Sequence, residues 1–298
     1  MEAHTPVVSK QAMLVTLTIG VYTGRKQDRA TQAEVVSAHQ AKSARAASVY
    51  KNLFSDCAEL DAVLKFQSKA RARHYELTLP WDDHGRRLLP TAAFMTYTDE
   101  VRTMREEFES LVKVFLDKYD TLVAAAAFRL GTLFDRDEYL TREQVERRFR
   151  FDVDYTPVPT AGDFRVDLED VVRSELAEKY EQRMQDQLVA AHRDAWDRLY
   201  SALSRLKDRL TPTQDGKAKV FHTTTVEGVR ELCQTLTMLN VTNDLELESA
   251  RAMLESALDG VTVDELRKEE GSRAVTLTNV NRILDAFNFG ALCTVEVQ

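Results

Sequence analysis

Apolar and polar positions alternate near the start of the chain. Apolar side chains occupy the odd positions from Met13 to Val21, and threonines stand at positions 16 and 18. A period of two is typical of a strand with one buried face. A secretory signal or a membrane helix requires a continuous apolar run, which the threonines interrupt and the sequence GRKQDR at 24–29 ends. We therefore predict a strand here.

Three later segments also alternate. The sequences HYELTLPW at 74–81 and RRLLPTAAF at 86–94 flank the turn residues 82–85 and predict a hairpin. Pro80 and Pro90 cannot donate ladder hydrogen bonds, so we expect short strands or a sheet edge. FRFDVDY at 149–155 predicts another strand, 156–163 predicts a loop, and 164–168 predicts a further short strand.

The remaining patterns have the period of a helix. Residues 31–73 read as two helices, and an apolar seam from Val101 to Ala126 predicts a helix of roughly 30 residues, about 45 Å long. The pattern from Leu168 to Leu210 predicts a helix of about 60 Å. Capping-box sequences begin at four threonines. They are Thr31, Thr141, Thr224 and Thr262.

These elements predict a predominantly helical α+β protein, with a small antiparallel sheet packed on long helices and a C-terminal helical module. Only ten Gly and six Pro in 298 residues favour long helices. We expect a strand-containing core over 1–167, a long connecting helix over 168–210, a linker over 211–217 and a helical module over 222–298. A helix as long as 168–210 usually connects lobes or builds an oligomer.

Cysteine usage and charge limit the possible classes of protein. Cys57, Cys233 and Cys293 have no zinc or disulfide spacing, so we expect buried thiols in a reducing compartment. The net charge of −8 is unevenly distributed, because residues 1–90 hold 13 Lys/Arg against 9 Asp/Glu. Phosphate attraction acts over a Debye length of about 8 Å, so overall acidity does not exclude a polyanion partner. Solvated surface charge explains the same count.

No sequence motif identifies an enzyme. Phosphate-binding loops, dinucleotide-binding glycines, zinc-protease and serine-nucleophile motifs are all missing from the sequence. Asp82, Asp83 and His84 form the richest polar cluster, either a metal-dependent nuclease site or an ordinary hairpin turn. We therefore expect a non-enzymatic protein without a cofactor or a metal.

Basic and aromatic residues recur around the predicted strands, as in proteins that hold single-stranded nucleic acid. The aromatics also occupy the apolar alternate positions, so core packing explains them, and only the arginines would then remain for phosphate. The predicted nucleic-acid-binding residues are Arg25, Lys26, Arg71, Arg73, Arg86, Arg87, Arg147, Arg148, Arg150, Trp81 and Tyr75.

Three short strings carry a family resemblance: YTGRK at 22–26, TLPWDDHGRRLLP at 78–90 and RFRFDVDYTPVPTAGDFRVDL at 148–168. Over residues 12–210 their order resembles a family of tailed-phage and bacterial proteins classed as a domain of unknown function. Its members sometimes occur beside genes for a MoxR-type AAA+ ATPase and a von Willebrand A-type partner, or among recombination genes. The resemblance implies a phage protein in the cytoplasm of a bacterial host and brings no catalytic residue.

A looser similarity is to single-strand annealing proteins such as RecT and Red-beta, which combine a strand-rich core, a crossing helix and a helical C-terminal module. We therefore predict a non-enzymatic phage protein that self-associates through its long helices and binds single-stranded nucleic acid in recombination or replication. The alternative is an adaptor or scaffold for a MoxR-type AAA+ ATPase, without nucleic-acid binding.

Overall fold

The computed structural model describes residues 10–159, 170–213, 219–287 and 289. Within these ranges the chain forms ten α-helices and six strands, which confirms the predominantly helical α+β class. The strands are β1 Ala12–Gly20, β2 Arg25–Gln27, β3 Tyr50–Asn52, β4 Leu79–Pro80, β5 Arg87–Pro90 and β6 Arg150–Pro157. The helices are α1 Arg29–Ala38, α2 Ala58–Glu76, α3 Phe94–Asp117, α4 Tyr119–Leu130, α5 Arg142–Glu146, α6 Asp170–Leu210, α7 Thr223–Leu239, α8 Leu245–Ala257, α9 Val263–Lys268 and α10 Glu270–Ala286. None of the described helices is both long and apolar enough to cross a membrane.

The chain forms two compact units, each built from separate stretches of sequence. Unit 1 contains the described residues of 1–16, 74–98 and 154–298, and unit 2 contains residues 17–73 and 99–153. Strands β1 and β6 and helices α2 and α3 contribute residues to both units. The three-part division expected from the sequence stays a prediction.

The larger sheet has the antiparallel strand order β4–β5–β1–β6. Ala12 to Val15 of β1 pair with β5, and Leu79 of β4 pairs with Leu88 of β5. The predicted first strand is confirmed, but its single buried face is wrong, because Leu14 and Val15 on opposite faces are both buried. Apolar side chains therefore cover both faces of β1 at this point.

The core of unit 1 lies between the sheet and the helical module. From Met184 onward, α6 buries one seam against apolar residues of α7, α8 and α10, with Trp196 at its centre. The indole Nε1–H donates to Asp244 Oδ2 at 2.9 Å, and the Phe287 and Phe289 rings contact the indole. Asp244 Oδ1 also caps α8, since it accepts from the backbone N–H of Glu246. One carboxylate thus links α6 to the start of α8.

Aromatic rings form the core of unit 2. The Phe54 ring lies within 6.0 Å of four others, centroid to centroid. They are Tyr22, Phe115, Tyr119 and Tyr139. Beside this cluster Gly24 has a φ of +63°, and a Cβ there would meet Phe54 at 3.0 Å and Leu60 at 3.3 Å. Only glycine suits this position, because both the backbone conformation and the space exclude a side chain.

Several predicted boundaries are wrong. Helix α2 continues to Glu76, so only residues 79–80 of the predicted strand 74–81 form a strand. These two residues pair with β5 in a short hairpin. The predicted 30-residue helix is interrupted at Lys118 between α3 and α4. Helix α1 is capped by Asp28 rather than Thr31, and α7 has no side-chain cap at His222.

Other sequence predictions are confirmed or fall outside the described residues. The capping boxes at Thr141 and Thr262 are both formed. The 41-residue helix α6 matches the predicted 168–210 closely. Cys57 and Cys233 are buried free thiols. Cys293, the predicted strand 164–168, and parts of the predicted loop and linker lie outside the described ranges.

Candidate nucleic-acid interface

The predicted nucleic-acid-binding residues divide between the two units. Unit 1 holds Tyr75, Trp81, Arg86 and Arg87. Unit 2 holds Arg25, Lys26, Arg71, Arg73, Arg147, Arg148 and Arg150. The surroundings of each residue within its own unit decide whether its charge or ring is open to a ligand.

In unit 1 the turn at 82–86 is stabilised by hydrogen bonds and an ion pair between its own residues. Asp82 Oδ1 accepts from the backbone N–H of His84 at 2.9 Å, and Oδ2 accepts from Arg86 Nε at 2.6 Å. Burial alone raises the pKa of Asp82, but these hydrogen bonds outweigh it and hold the pKa below its usual value. Among the described residues no group of three His, Cys, Asp or Glu side chains is arranged to hold a metal ion.

The Arg87 side chain packs against the C-terminal end of α2. Its Nε donates to Thr78 Oγ1 at 3.0 Å, and its guanidinium lies over the Tyr75 ring at 4.9 Å. Arg198 donates to the Tyr75 and Glu76 carbonyls at 2.8 and 2.6 Å. Arg87 Nη2 also donates to the Thr78 carbonyl at 2.9 Å, so both arginines satisfy main-chain oxygens at a helix end, which is a structural use of their charge.

The two predicted stacking residues of unit 1 differ in exposure. Trp81 is 7% exposed and belongs to the same apolar core as Leu79 and Leu88. Tyr75 is 51% exposed, but one face of its ring is taken by Arg87. Neither ring offers two open faces to a base.

In unit 2 some of the predicted cations face carboxylates. Arg73 Nε donates to Glu100 Oε2 at 2.8 Å, and Lys26 Nζ lies 3.8 Å from Glu138 Oε1. These pairs are partly exposed, so each contributes less than about 1 kcal/mol to stability. A phosphate would have to compete with these carboxylates for the same cations.

Three arginines meet at the C-terminal end of β1. Arg71 Nη2 donates to the Ile19 carbonyl at 3.2 Å, and a Cβ on Gly20 would lie 3.1 Å from the Arg148 carbonyl and 3.4 Å from Arg150 Cβ. Arg150 pairs with the exposed Asp152 at 3.2 Å. Arg147 and Arg148 are exposed. We call these three arginines, together with their exposed sequence neighbour Arg147, the β1-end cluster.

A second basic surface follows in residues 25–52, which we call the basic arm. It consists of β2, α1, a connecting loop and β3, and β2 pairs antiparallel with β3. The arm contains six Lys/Arg against two Asp/Glu, a surplus of four. Five of these cations are exposed. They are Arg25, Lys26, Arg29, Lys42 and Arg45.

Only one of the two carboxylates of the arm offsets this positive charge at the surface. Asp28 is buried, accepts from the Thr31 N–H at 3.0 Å as the cap of α1, and lies 3.8 Å from Lys51 Nζ. Its pKa is lowered, chiefly by the backbone hydrogen bond from Thr31. Glu34 is the one exposed carboxylate of the arm. The solvent side of the arm is therefore strongly positive.

Three candidate residues of the arm were not singled out from the sequence: Lys42, Arg45 and the exposed Tyr50. The sequence does carry a signal for the cations, because the surplus of four positive charges found over residues 1–90 equals the surplus of the arm alone. A charge count in shorter windows identifies the segment. The exposure of Tyr50 has no such signal, since an apolar ring on a short strand usually predicts burial.

Comparison with protein-family models, curated proteins and solved structures finds no match to this chain. The resemblance to the phage family and to annealing proteins therefore stays a prediction.

Proposed function

We propose that the protein binds single-stranded nucleic acid without catalysis, through the basic arm and the β1-end cluster of unit 2. The observation that carries the proposal is the arm itself, where five exposed cations accompany one exposed carboxylate. Proteins that hold single strands use such positive surfaces to follow the phosphate backbone. We do not include Arg86 and Arg87 in this binding surface, because both side chains make contacts within unit 1.

Salt-dependent binding tests the proposal. Binding of a fluorescent oligonucleotide is expected to weaken steeply with salt, since each phosphate contact in a single strand releases counterions with a slope of about −0.7. The triple variant R25A/R29A/R45A should reduce that slope by about 2 and weaken binding at least tenfold at about 50 mM salt. Fluorescence anisotropy at several salt concentrations measures both quantities.

A matched control removes three cations of unit 2 that lie outside the arm. Arg102 pairs with Asp99, while Lys113 and Arg142 both pair with Asp117. The variant R102A/K113A/R142A has the same change in net charge and should leave the slope nearly unchanged. Equal losses in the two triple variants would show a nonspecific charge effect, and no binding of wild type at about 50 mM salt would refute the proposal.

The adaptor function is the second candidate, and the charge of the helical module favours it. Residues 222–287 contain 12 Asp/Glu and 6 Lys/Arg. Several of these arginines serve internal contacts: Arg230 donates to the Leu258 carbonyl, and Arg273 donates to the Leu266 carbonyl. The module thus offers an acidic surface to a basic protein partner. Retention of a purified MoxR-type ATPase after nuclease treatment, with no oligonucleotide binding, would favour this candidate.

Self-association is the second part of the proposal and rests on α6. No described side chain between residues 172 and 183 is buried, although α6 buries its seam from Met184 onward. Val172 is 42% exposed and Leu176 is half-buried, four residues apart on the same stripe. An antiparallel pair of these segments centred on Ala177 places Glu175 of one copy opposite Lys179 of the other. Charge complementarity therefore favours a second copy of the chain as the partner.

This arrangement predicts a charge swap. E175K is expected to weaken self-association several-fold because two lysines then face each other, and E175K/K179E should restore it. L176E removes apolar contact and should raise the dissociation constant at least tenfold. Sedimentation velocity measures the species present. A wild-type chain that stays monomeric at high concentration, or a double variant no better than E175K, would contradict the pairing.

A further inference from the structure

The ribbon formed by β2 and β3 has two chemically different faces. The registered pairs are Arg25 with Asn52, Lys26 with Lys51, and Gln27 with Tyr50. Because side chains alternate along a strand, the first and third pairs share one face and the second pair occupies the other. We call the face of Arg25, Gln27, Tyr50 and Asn52 the outer face. All four of its residues are exposed.

The opposite face of the ribbon is occupied by contacts within unit 2. The Lys51 side chain is 11% exposed and forms an ion pair with Glu138, and Lys51 Nζ donates to the Leu133 carbonyl at 3.1 Å. Lys26 lies near the same carboxylate. This face anchors the ribbon to the 131–138 segment, which fixes the direction in which the outer face points.

Tyr50 is the notable residue of the outer face. It is 62% exposed, and its ring has no aromatic or cation partner among the described residues. Two neighbours are partly engaged, because Asn52 Oδ1 accepts from the Phe54 N–H at 3.2 Å and Gln27 Nε2 donates to Gln32 at 2.8 Å. The Arg25 guanidinium has no hydrogen bond or ion pair with any described residue. An open ring and an open cation therefore share one face.

We infer that the outer face is a nucleotide-binding site, in which an unpaired base stacks on Tyr50 and the neighbouring phosphate pairs with Arg25. This inference rests on the proposed nucleic-acid binding and names the feature that would select single strands. Tyr50 and Arg25 are diagonal neighbours on paired strands, roughly 7 Å apart. A stacked base and its adjacent phosphate span such a distance.

Stacking explains a preference that charge alone does not supply. Cations of the arm attract the phosphates of a duplex and of a single strand alike. An aromatic ring gains a stacking partner only when a base is free, because bases in a duplex already stack on each other. Tyr50 is therefore expected to add affinity for single strands and none for duplexes.

The test compares Y50A, Y50F and wild type on three probes of equal length: a single-stranded oligothymidine, an abasic strand with the same phosphates, and a duplex. Y50A is expected to weaken oligothymidine binding about tenfold, which is a typical loss for one stacked base. Y50F should keep wild-type affinity, since the ring is what stacks. Affinity for the abasic strand and the duplex should not change in either variant.

A matched control uses Phe128, an exposed aromatic residue of the same unit at 93% exposure on α4. F128A should leave the affinity for all three probes unchanged, and thermal unfolding of each variant checks that the fold is retained. Wild-type binding with no effect of Y50A overturns the stacking inference and leaves the proposed function intact. An equal loss for Y50A on all three probes also overturns it. Absence of wild-type binding to every probe overturns both.

Discussion

Replacing Trp196 with alanine is expected to lower the free energy of unfolding of unit 1 by about 3–5 kcal/mol, the range measured for removing a large buried aromatic side chain. The indole is fully buried, contacts two phenylalanine rings and donates to Asp244. Its loss leaves a cavity in the seam between α6 and the helical module. It also removes a donor from the carboxylate that caps α8.

The conservative variant W196F separates these two contributions. Phenylalanine keeps most of the ring and loses the hydrogen bond, so a smaller loss of about 1–2 kcal/mol is expected. The remaining tryptophan, Trp81, also lies in unit 1 and reports its unfolding by fluorescence during urea denaturation. A loss below about 1 kcal/mol for W196A would show that the seam contributes little to stability.

Unit 1 is expected to lose about 3 kcal/mol of stability between pH 7 and pH 4 through His74 alone. Burial, and secondarily the charge of Arg87, lowers the pKa of His74 to about 4. The imidazole shares a 2.8 Å hydrogen bond with Tyr97. In the unfolded chain the same group has a pKa of about 6.5.

The sign of this pH dependence follows from the number of protons that each state binds. Between the two pKa values the unfolded state binds more protons, so the stabilising contribution is complete above about pH 6.5 and is lost as the pH falls toward 4. H74Q cannot titrate and should show a flatter dependence over this interval. His192, whose pKa is also lowered by burial and partly raised by Asp244, contributes in the same sense. Only the difference between wild type and H74Q therefore measures His74, by urea denaturation at each pH.

Periodicity identified the long elements but not their ends. The seam of α6 continues for 41 residues without Gly or Pro, and the structure follows it from residue 170 to 210. In contrast, Tyr75 and Leu77 alternate like a strand, yet Tyr75 belongs to the last turn of α2. Arg87 of β5 and Arg198 of α6 satisfy carbonyls at that helix end. Their approach depends on tertiary structure, which a local pattern does not report.

The sequence also could not show which charged residues of the candidate site are open to a ligand. Composition indicated a basic first part of the chain, and the arm accounts for that surplus. The sequence could not show that Arg87 is used at a helix end while Arg25 stays open, because both are arginines at strand positions. Likewise Tyr50 begins the short strand β3 and Trp81 directly follows the short strand β4, and only packing separates the buried ring from the exposed one. Residue type predicts the kind of contact, whereas burial decides which residue is free to make it.

The order in which the sheet strands leave the ribosome follows from their positions in the sequence. Strand β1 ends at residue 20, but its neighbour β5 begins at residue 87 and β6 begins at residue 150. At about 5–20 residues per second, β1 waits roughly ten seconds for its last neighbour to be synthesised. During translation it is an apolar strand with unpaired edges, which favours aggregation and chaperone binding. The nascent chain therefore needs protection early in synthesis, and residues 12–20 are where a holdase is expected to bind.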